Sequence, residues 1–289
     1  MLNIEEKKYW IWLSLIKGIG SIKKHELLKK CGSPKAIYEL KKDELLNING
    51  IGENLANNII DDELKNRVEN HIKYMEENNI DIISINDKEY PNELKEIYDN
   101  PISIYIKGNK DVLKNTGVAI IGCREATEYG KKAAEYFGYN LAENNINVIS
   151  GGAKGIDTYA HIGAICAKGK TISVVGNGLN VVYPKENEYI QKKIVEFGGA
   201  IISEFPLGTK PEKMNFPARN RIISGLSKKI LVVEAKEKSG TLITVDFALE
   251  QGKDVFCVPG NINSINSVGT NHLIKCGANV ATNYKDLLI

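Results

Sequence analysis

Four apolar stretches of this chain are each followed by a short segment rich in glycine and polar residues. These segments are residues 122–124 (GCR), 150–152 (SGG), 176–178 (GNG), with Tyr183, Pro184 and Lys185 shortly beyond, and 239–241 (SGT). Glycine lets a backbone approach a ligand closely, and unpaired N–H groups at the start of a helix favour negative charge. The four segments therefore predict a binding site for phosphate groups, from either a nucleotide or a nucleic-acid backbone.

Arginine is rare in this sequence, and its placement supports a phosphate site independently. Of the 38 basic residues only four are arginines, and three of these, Arg124, Arg219 and Arg221, fall in the candidate cleft. A planar guanidinium donates two parallel hydrogen bonds to a phosphate, which a lysine ammonium cannot do. The alternative is that these arginines form structural ion pairs with carboxylates such as Glu204 or Glu234.

The candidate phosphate-binding residues share a predicted position at the ends of strands or in the stretch FPARNRII. They are Gly122, Cys123, Arg124, Ser150, Gly151, Gly152, Gly176, Asn177, Gly178, Lys185, Arg219, Asn220, Arg221, Ser239, Gly240 and Thr241. Because the carboxyl ends of parallel strands meet at one edge of a sheet, we expect these residues to line one cleft.

Two familiar nucleotide-binding motifs are absent from the sequence. A dinucleotide fingerprint needs G-x-G-x-x-G after the first strand, whereas residues 151–155 read GGAKG. Residues 163–171 (GAICAKGKT) have five residues between the glycines where a Walker A motif has four, and they run from a predicted helix into a strand, the reverse of a P-loop. We therefore expect no NAD site, no ATP site and no cofactor.

Candidate catalytic groups are few. His161 lies about one helical turn beyond Asp157, and no serine or cysteine nucleophile stands beside it in an elbow motif. We interpret Asp157 as a capping carboxylate and His161 as a packed core residue. Glu234 ends an apolar strand, where it could act as an acid or pair with Arg219 or Arg221. The sequence favours a binding protein over an enzyme, and we assign no catalytic residue.

From residue 118 onward, apolar strands alternate regularly with helices. Strands are predicted at VAIIG, NVIS, TISVVG, AIISE, KILVVEA, DVFCVPG and around residues 278–281, with a helix between each pair. Such repetition is typical of a parallel, doubly wound sheet. Residues 81–117 hold two further strand patterns, which we interpret as an edge extension. The predicted fold is α/β, with a doubly wound, mostly parallel sheet in a large domain spanning residues 81–289.

Residues 1–80 predict a small all-helical domain, because apolar residues recur there at spacings of three and four. Two turns, residues 17–20 (KGIG) and 49–52 (NGIG), each lie between helices. They resemble the helix-hairpin-helix motif, in which two glycines expose backbone N–H groups to a DNA phosphate. The alternative is a tight interhelical turn whose isoleucine packs in the core, and the sequence leaves both interpretations open.

Composition limits the partners and the compartment. The 38 basic and 36 acidic residues give a net charge of +2, which excludes a uniformly basic coat but allows a local basic cleft. The five cysteines are odd in number and form no C-x-x-C pair, which argues against disulfides and a zinc site. No signal peptide and no apolar run of roughly 18 residues is present. We expect a soluble, cytoplasmic protein without a metal or a membrane contact.

Several longer segments of the sequence together resemble one known family. They are VAIIGCR followed by YG, SGGAKGIDTYAHIGA, TISVVGNGLNVVYPKEN, SEFPLGTKPEKMNFPARNRIISGLS, VVEAKEKSGTLIT, VFCVPGNI and GTNHLIKCGA. Across residues 81–289 they are similar to the DNA-processing protein A family, also called DprA or Smf. The run FPARNRIISGLS is highly specific for it.

The resemblance implies an extended Rossmann fold that binds single-stranded DNA, forms a homodimer, protects incoming DNA and loads the RecA recombinase during natural transformation and recombination. It also implies a binding protein and not an enzyme. Cys123 stands where the family usually has serine, which weakens a phosphate contact made by that hydroxyl but not one made by the backbone N–H. The winged-helix domain at the C-terminus of many relatives is not visible here, so we expect no duplex binding from such a domain.

An enzyme with a related sheet is the alternative. The lysine-decarboxylase-like nucleoside-monophosphate phosphoribohydrolases use a glycine-rich PGGxGTxxE turn and an arginine. The corresponding residues 238–244 read KSGTLIT, without the PGG and without the glutamate three residues after the threonine. Release of free base from nucleoside monophosphates would distinguish this alternative from DNA binding.

Overall fold

A long, mostly parallel sheet positions the candidate residues. The computed structural model describes residues 4–115 and 117–288, and within them the sheet has nine strands in the order β1-β2-β6-β5-β4-β3-β7-β8-β9. The strands are β1 Ile80–Ser84, β2 Ser103–Gly108, β3 Gly117–Gly122, β4 Asn147–Ser150, β5 Thr171–Val174, β6 Ala200–Ser203, β7 Ser227–Glu234, β8 Asp254–Cys257 and β9 Asn279–Val280.

The pairing of the strands confirms the predicted fold class. Strands β3 to β9 all pair in parallel, whereas β2 is antiparallel to both β1 and β6. The chain runs outward from β3 to β6 and then returns to β7, beside β3, before continuing to β9. The sheet is therefore doubly wound, and β1 and β2 form the edge extension that the sequence predicted.

Helices cover the two faces of this sheet and form a module beside β1 and β2. They are α1 Ile4–Leu15, α2 Ser21–Cys31, α3 Pro34–Glu39, α4 Lys42–Leu46, α5 Glu53–Ile60, α6 Asp62–Glu77, α7 Asn92–Lys95, α8 Glu128–Glu143, α9 Ile156–Cys166, α10 Glu188–Glu196, α11 Asn215–Gly225, α12 Gly240–Glu250 and α13 Val268–Lys275. In the described ranges, we find no helix with the length and hydropathy that a bilayer crossing requires.

The central strand β3 shows how the layers are built. Successive side chains of a strand point to opposite faces, so Val118 and Ile120 pack with α8 and α9, whereas Ala119 and Ile121 pack with α11 and α12. Apolar residues on both faces are what a sheet covered on both sides requires. With both faces covered by helices, a ligand can approach the strands only where they end, at the turns that follow them.

The helical module of α1 to α6 has its own apolar core and packs on the edge strands. Trp12 is fully buried at its centre, and the same cluster includes Ile82 of β1 and Tyr105 of β2. Ser14 Oγ and Tyr105 Oη share a hydrogen bond of 2.6 Å, which joins α1 to β2 directly. Because the cluster extends across residue 80, the domain boundary at that residue stays a prediction.

The two Gly-Ile-Gly turns have the same local geometry. The first glycines, Gly18 and Gly50, have φ of +77° and +78°, and the second glycines are the N-caps of α2 and α5. Each turn also accepts a hydrogen bond from the helix that follows the other turn. Asn58 of α5 donates to the carbonyl of residue 17 at 3.3 Å, and Lys23 of α2 donates to the carbonyl of residue 49 at 3.0 Å. A contact between these turns and DNA stays a prediction.

Lys24 of α2 is a partly buried cation where the helical module meets the sheet. Its Nζ donates to the Ser14 carbonyl at 3.3 Å, and Glu204 lies nearby. Burial, only partly offset by Glu204, lowers the pKa of Lys24 from 10.5 to about 8. Below about pH 8, folding buries the charged ammonium of Lys24, which lowers the free energy of unfolding. Between pH 8 and 10.5 the unfolded chain binds the extra proton, so this residue makes the free energy of unfolding rise with pH.

We therefore expect Lys24→Met to be at least as stable as the parent at pH 7, with its advantage shrinking toward pH 10. Urea unfolding of both proteins at several pH values measures this, and Lys29→Met, an exposed lysine in the same helix, is the control. An advantage of Lys24→Met that stays constant with pH would show that burial of the charge is not its cause.

Candidate functional site

A recess of about 240 Å³ lies at the carboxyl edge of the sheet, where β3, β4 and β5 end. Its walls are the turns after these strands and the start of α11. The lining residues are Arg124, Gly151, Gly152, Ala153, Lys154, Val175, Gly176, Asn177, Tyr183, Pro184, Phe216 and Arg219. The candidates among them are Arg124, Gly151, Gly152, Gly176, Asn177 and Arg219, so three of the predicted segments do converge on one site.

Arg219 is a cation built into the wall of the recess, and only 5% of it is exposed. Its Nη1 donates to the carbonyls of Gly151, at 2.5 Å, and Val174, and its Nε donates to Asn220 Oδ1 at 3.2 Å. Among the described residues, Nη2 has no acceptor and the guanidinium has no ion-pair partner. Burial lowers the pKa of Arg219 to about 10, so it is still charged at neutral pH. A buried cation without a close counter-charge favours an incoming anion.

Asp157 lies behind the same turn and compensates part of this charge at a distance. Its Oδ2 accepts from the backbone N–H of Ala153 at 3.2 Å, while burial raises its pKa against the opposing effect of Arg219. A Cβ on Gly151 would lie 2.6 Å from Asp157 Oδ2 and 2.8 Å from Arg219 Nη2. Only glycine therefore lets the backbone of this turn pass between the two charged groups.

His161 is part of the packed core. Its Nδ1 donates to Thr171 Oγ1 at 2.7 Å, and only 1% of the residue is exposed. Burial, together with the nearby Arg219, lowers the pKa of His161 to about 3. The imidazole is therefore neutral at physiological pH, in agreement with the structural role expected from the sequence.

An aromatic surface lies beside the arginines. The Phe216 and Tyr183 rings stack with their centroids 5.6 Å apart at 30°, and the Arg124 guanidinium lies 5.4 Å from the Phe216 centroid. Arg124 is exposed and makes no ion pair within the described residues. This contact orients the guanidinium without neutralising it. A guanidinium able to bind a phosphate and an exposed ring, Tyr183, able to stack on a base thus lie close to each other.

One lysine lines the recess, and further lysines lie close in the chain to residues that line it. Lys154 pairs with Glu186 at 2.6 Å, and both side chains are more than half exposed. Lys185, Lys210 and Lys213 are exposed and form no ion pair in the part of the chain that the structure describes. Cations at a concave surface raise the local concentration of polyanions. The cations that line the recess are Arg124, Lys154 and Arg219, and within the described residues its lining contains no carboxylate.

Four further candidates hold the turns in place and do not line the recess. Cys123 is buried, and its N–H donates to the carbonyl at the end of β7 at 3.0 Å, so neither its thiol nor its N–H is free for a phosphate. Ser150 Oγ donates to a carbonyl of β3 at 2.6 Å, and the Gly178 N–H to one in the loop before α11 at 3.0 Å. A Cβ on Gly122 would lie 2.6 Å from an Ile156 side-chain atom of α9. These positions fix the turns through packing and backbone bonds.

Arg221 corrects the prediction that three arginines share the cleft. It is buried away from the recess, with Nε 2.8 Å from Asp99 Oδ2 and Nη2 2.5 Å from Glu204 Oε2. The structural ion pair, which the sequence left open as an alternative, is therefore right for Arg221. Asn220, between the two arginines, contributes by accepting from Arg219.

The segment after β7 also lies outside the recess. Ser239 Oγ accepts from the N–H of Thr241 at 3.2 Å and caps α12, which begins at Gly240. Glu234 is 1% exposed and accepts from the backbone N–H of Thr127 at 3.0 Å. It also accepts from the hydroxyl of that residue and from Asn266. Of the two roles that the sequence left open for Glu234, the pairing with Arg219 or Arg221 is therefore wrong.

The structure adds residues that the sequence analysis did not select. Phe216 lies three positions before Arg219, and residues at that spacing share a helix face. That spacing was a usable signal for Phe216. Lys154 reaches the recess through an irregular segment, for which periodicity gives no signal.

Comparison with known proteins places this architecture in a family. The model of the family described as DNA recombination-mediator protein A matches residues 81–289. The DNA processing protein DprA of Streptococcus pneumoniae is 47% identical over 205 residues, which cover 71% of this chain and 72% of that protein. Protein Smf of Escherichia coli is 40% identical over 221 residues, which cover 76% of this chain but 59% of that protein.

Solved structures agree with these matches. The structure of DNA processing protein A from Streptococcus pneumoniae has a TM-score of 0.82 at 37% identity and covers 97% of this chain and 96% of its own. That of the Helicobacter pylori protein, described in terms of its single-stranded DNA binding mode, has a TM-score of 0.65 at 30% identity and covers 71% of this chain and 93% of its own. On its sequence, its fold and these matches, the chain belongs to the DNA recombination-mediator protein A family, the DprA and Smf proteins.

Proposed function

We propose that this protein binds single-stranded DNA in the recess at the carboxyl edge of the sheet. The observation that carries the proposal is Arg219, a buried cation that lines the recess and has a free Nη2, with Arg124 beside it. Two guanidinium groups in a recess suit a phosphodiester. The description of the Helicobacter pylori relative as a single-stranded DNA-binding protein supports the same ligand.

The aromatic surface favours a single strand over a duplex. Stacking on the exposed Tyr183 ring needs an unpaired base, and every base has a face that can stack. The bases of a duplex are already stacked on one another. Binding through phosphates and stacking carries little base information, so we expect weak sequence preference.

The family membership supports a wider proposal. We propose that the protein protects incoming single-stranded DNA and loads RecA onto it during natural transformation and recombination, in the cytoplasm. We also propose that it acts as a homodimer. The outermost strand β9 has one unpaired edge, and Val280 on it and Ile262 and Ile265 before α13 are exposed apolar residues that a second copy could cover.

A binding role without catalysis is part of the proposal. In the described part of the chain, the side chains that line the recess include no carboxylate, imidazole or thiol, which are the usual general acids and bases. The turn that would correspond to the phosphoribohydrolase motif caps α12 outside the recess. Incubation with nucleoside monophosphates should therefore release no free base above the rate without protein.

A titration of single-stranded and duplex DNA at several salt concentrations tests the proposed function. We expect the single strand to bind more tightly, with a log–log salt slope near −0.7 per neutralised phosphate, hence roughly −2 to −3.5 for three to five contacts. Labelled oligonucleotides of one length and mixed sequence, followed by fluorescence anisotropy, give both quantities. Equal affinity for the two forms, or a slope near zero, would contradict the proposal.

A further inference from the structure

Helix α11 carries two arginines that serve different parts of the molecule. Residues two positions apart on a helix are separated by about 200° around its axis, so Arg219 and Arg221 point in nearly opposite directions. Arg219 lines the recess together with Phe216. Arg221 reaches Ser21 of the helical module. One helix of 11 residues thus connects the recess with the helical module.

Arg221 holds α11 through a buried ionic network. Its Nη1 donates to Glu204 Oε1 at 2.9 Å and its Nη2 to Glu204 Oε2 at 2.5 Å, a two-pronged contact. Its Nε contacts both the carboxylate of Asp99, at 2.8 Å, and the carbonyl of that residue, at 3.1 Å. Glu204 follows β6 and Asp99 precedes β2, so one guanidinium fixes the helix to two strands of the sheet.

The same network holds α2 of the helical module. Ser21, the first residue of α2, accepts from Arg221 Nη2 at 3.2 Å. His25, one turn later, donates from Nε2 to the carbonyl of Asn100, the neighbour of Asp99, at 3.0 Å. Lys24 between them lies near Glu204. The carboxylates that fix Arg221 are therefore also next to the groups that dock α2.

We propose that Arg221 is a positioning residue that couples docking of α2 to the placement of Phe216 and Arg219. The helical module then strengthens single-stranded DNA binding without contacting the DNA. This inference rests on the proposed function of the recess. Coupling between two sites is reciprocal, so DNA bound in the recess must in turn strengthen the docking of α2.

Arg221→Lys in the full chain tests the coupling, since lysine keeps the charge but cannot reach Glu204, Asp99 and Ser21 with one planar fork. With an oligothymidylate of about 20 nucleotides, we expect affinity to fall about 5-fold or more. The salt slope should not change, because no phosphate contact is lost. In hydrogen exchange, the DNA should protect the α2 amides of the parent but not those of the variant.

Two further variants make the result interpretable. Ser21→Ala removes one hydrogen bond and leaves both ion pairs of Arg221 intact, so this variant should fold even if Arg221→Lys does not. We expect it to lose less affinity than Arg221→Lys and to keep the salt slope of the parent. Arg67→Lys, at an exposed arginine of α6, is the matched control and should bind like the parent. Affinities are compared per folded molecule, from the amplitude of urea unfolding.

Three results would overturn the positioning role. The first is unchanged affinity per folded molecule. The second is a salt slope flattened by about 0.7, which would indicate a direct phosphate contact by Arg221. The third is protection of α2 by DNA that persists in Arg221→Lys, which would indicate that α2 itself contacts DNA. Arg124→Ala separates this failure from a failure of the proposed function. If Arg124→Ala weakens binding and Arg221→Lys does not, only the positioning role is wrong. If neither does, the recess is not the DNA site.

Discussion

Arg124→Ala should bind single-stranded DNA on the order of 30- to 100-fold more weakly than the parent, a loss of about 2 to 3 kcal/mol. Arg124 is exposed, lies over Phe216 and is not neutralised by a carboxylate among the described residues. Its guanidinium is therefore available to a phosphate. The salt slope should become flatter by under one unit, since one phosphate contact is lost. Anisotropy titrations at several salt concentrations measure both quantities.

Arg124→Lys separates geometry from charge at this position. If the planar fork matters, the lysine variant should lose roughly 1 to 2 kcal/mol of binding while its net charge is unchanged. Arg67→Ala removes the same charge from the helical module and is the control. Both Arg124 variants should melt like the parent, because no described ion pair is broken. Parent-like affinity for Arg124→Lys would show that any cation suffices. A much lower melting temperature with affinity intact would make Arg124 a structural residue.

The sequence predicted the strands and their direction because these depend on local patterns. Apolar runs such as residues 118–122 and 147–150 are readable one segment at a time, and the turn after each must lie at the carboxyl edge of a parallel sheet. Hence Arg124, Gly151 and Gly176 were placed together correctly. None of these inferences needed the order of the strands in the sheet.

The predictions of which residues line the recess were wrong where the position of a residue depends on long-range packing. The return of the chain places β7 on the side of β3 that faces away from β4 and β5, so Ser239 and its neighbours, which follow β7, end up outside the recess. Likewise, which side of α11 faces the recess depends on how that helix packs against the sheet. Residues two apart on a helix point in nearly opposite directions, so the expectation that Arg219 and Arg221 share one cleft was wrong, and packing decides which of them lines the recess. Strand order and helix rotation are set by the whole core.

The turn between β4 and α9 makes a second prediction of large effect. Gly155 has φ of +79° and ψ of −130°, a backbone conformation essentially restricted to glycine. An added Cβ would lie closer than 3.0 Å to the carbonyl oxygens of Cys123 and Arg124. The close approach is needed because the N–H of Ile156 donates to the Cys123 carbonyl at 3.2 Å and ties α9 to the Arg124 turn.

We therefore expect Gly155→Ala to lower the free energy of unfolding by about 3 to 5 kcal/mol, the sum of backbone strain and overpacking. Gly198→Ala is the matched control, because Gly198 has nearly the same φ, +78°, but no atom within 4 Å of the added Cβ. It should cost only the strain, about 1 to 2 kcal/mol. Urea unfolding gives both values. Equal losses of unfolding free energy in the two variants would mean that the turn carrying Arg124 moves aside easily. In that case the folded Gly155→Ala protein should bind single-stranded DNA less tightly than the parent, because the turn that presents Arg124 has shifted.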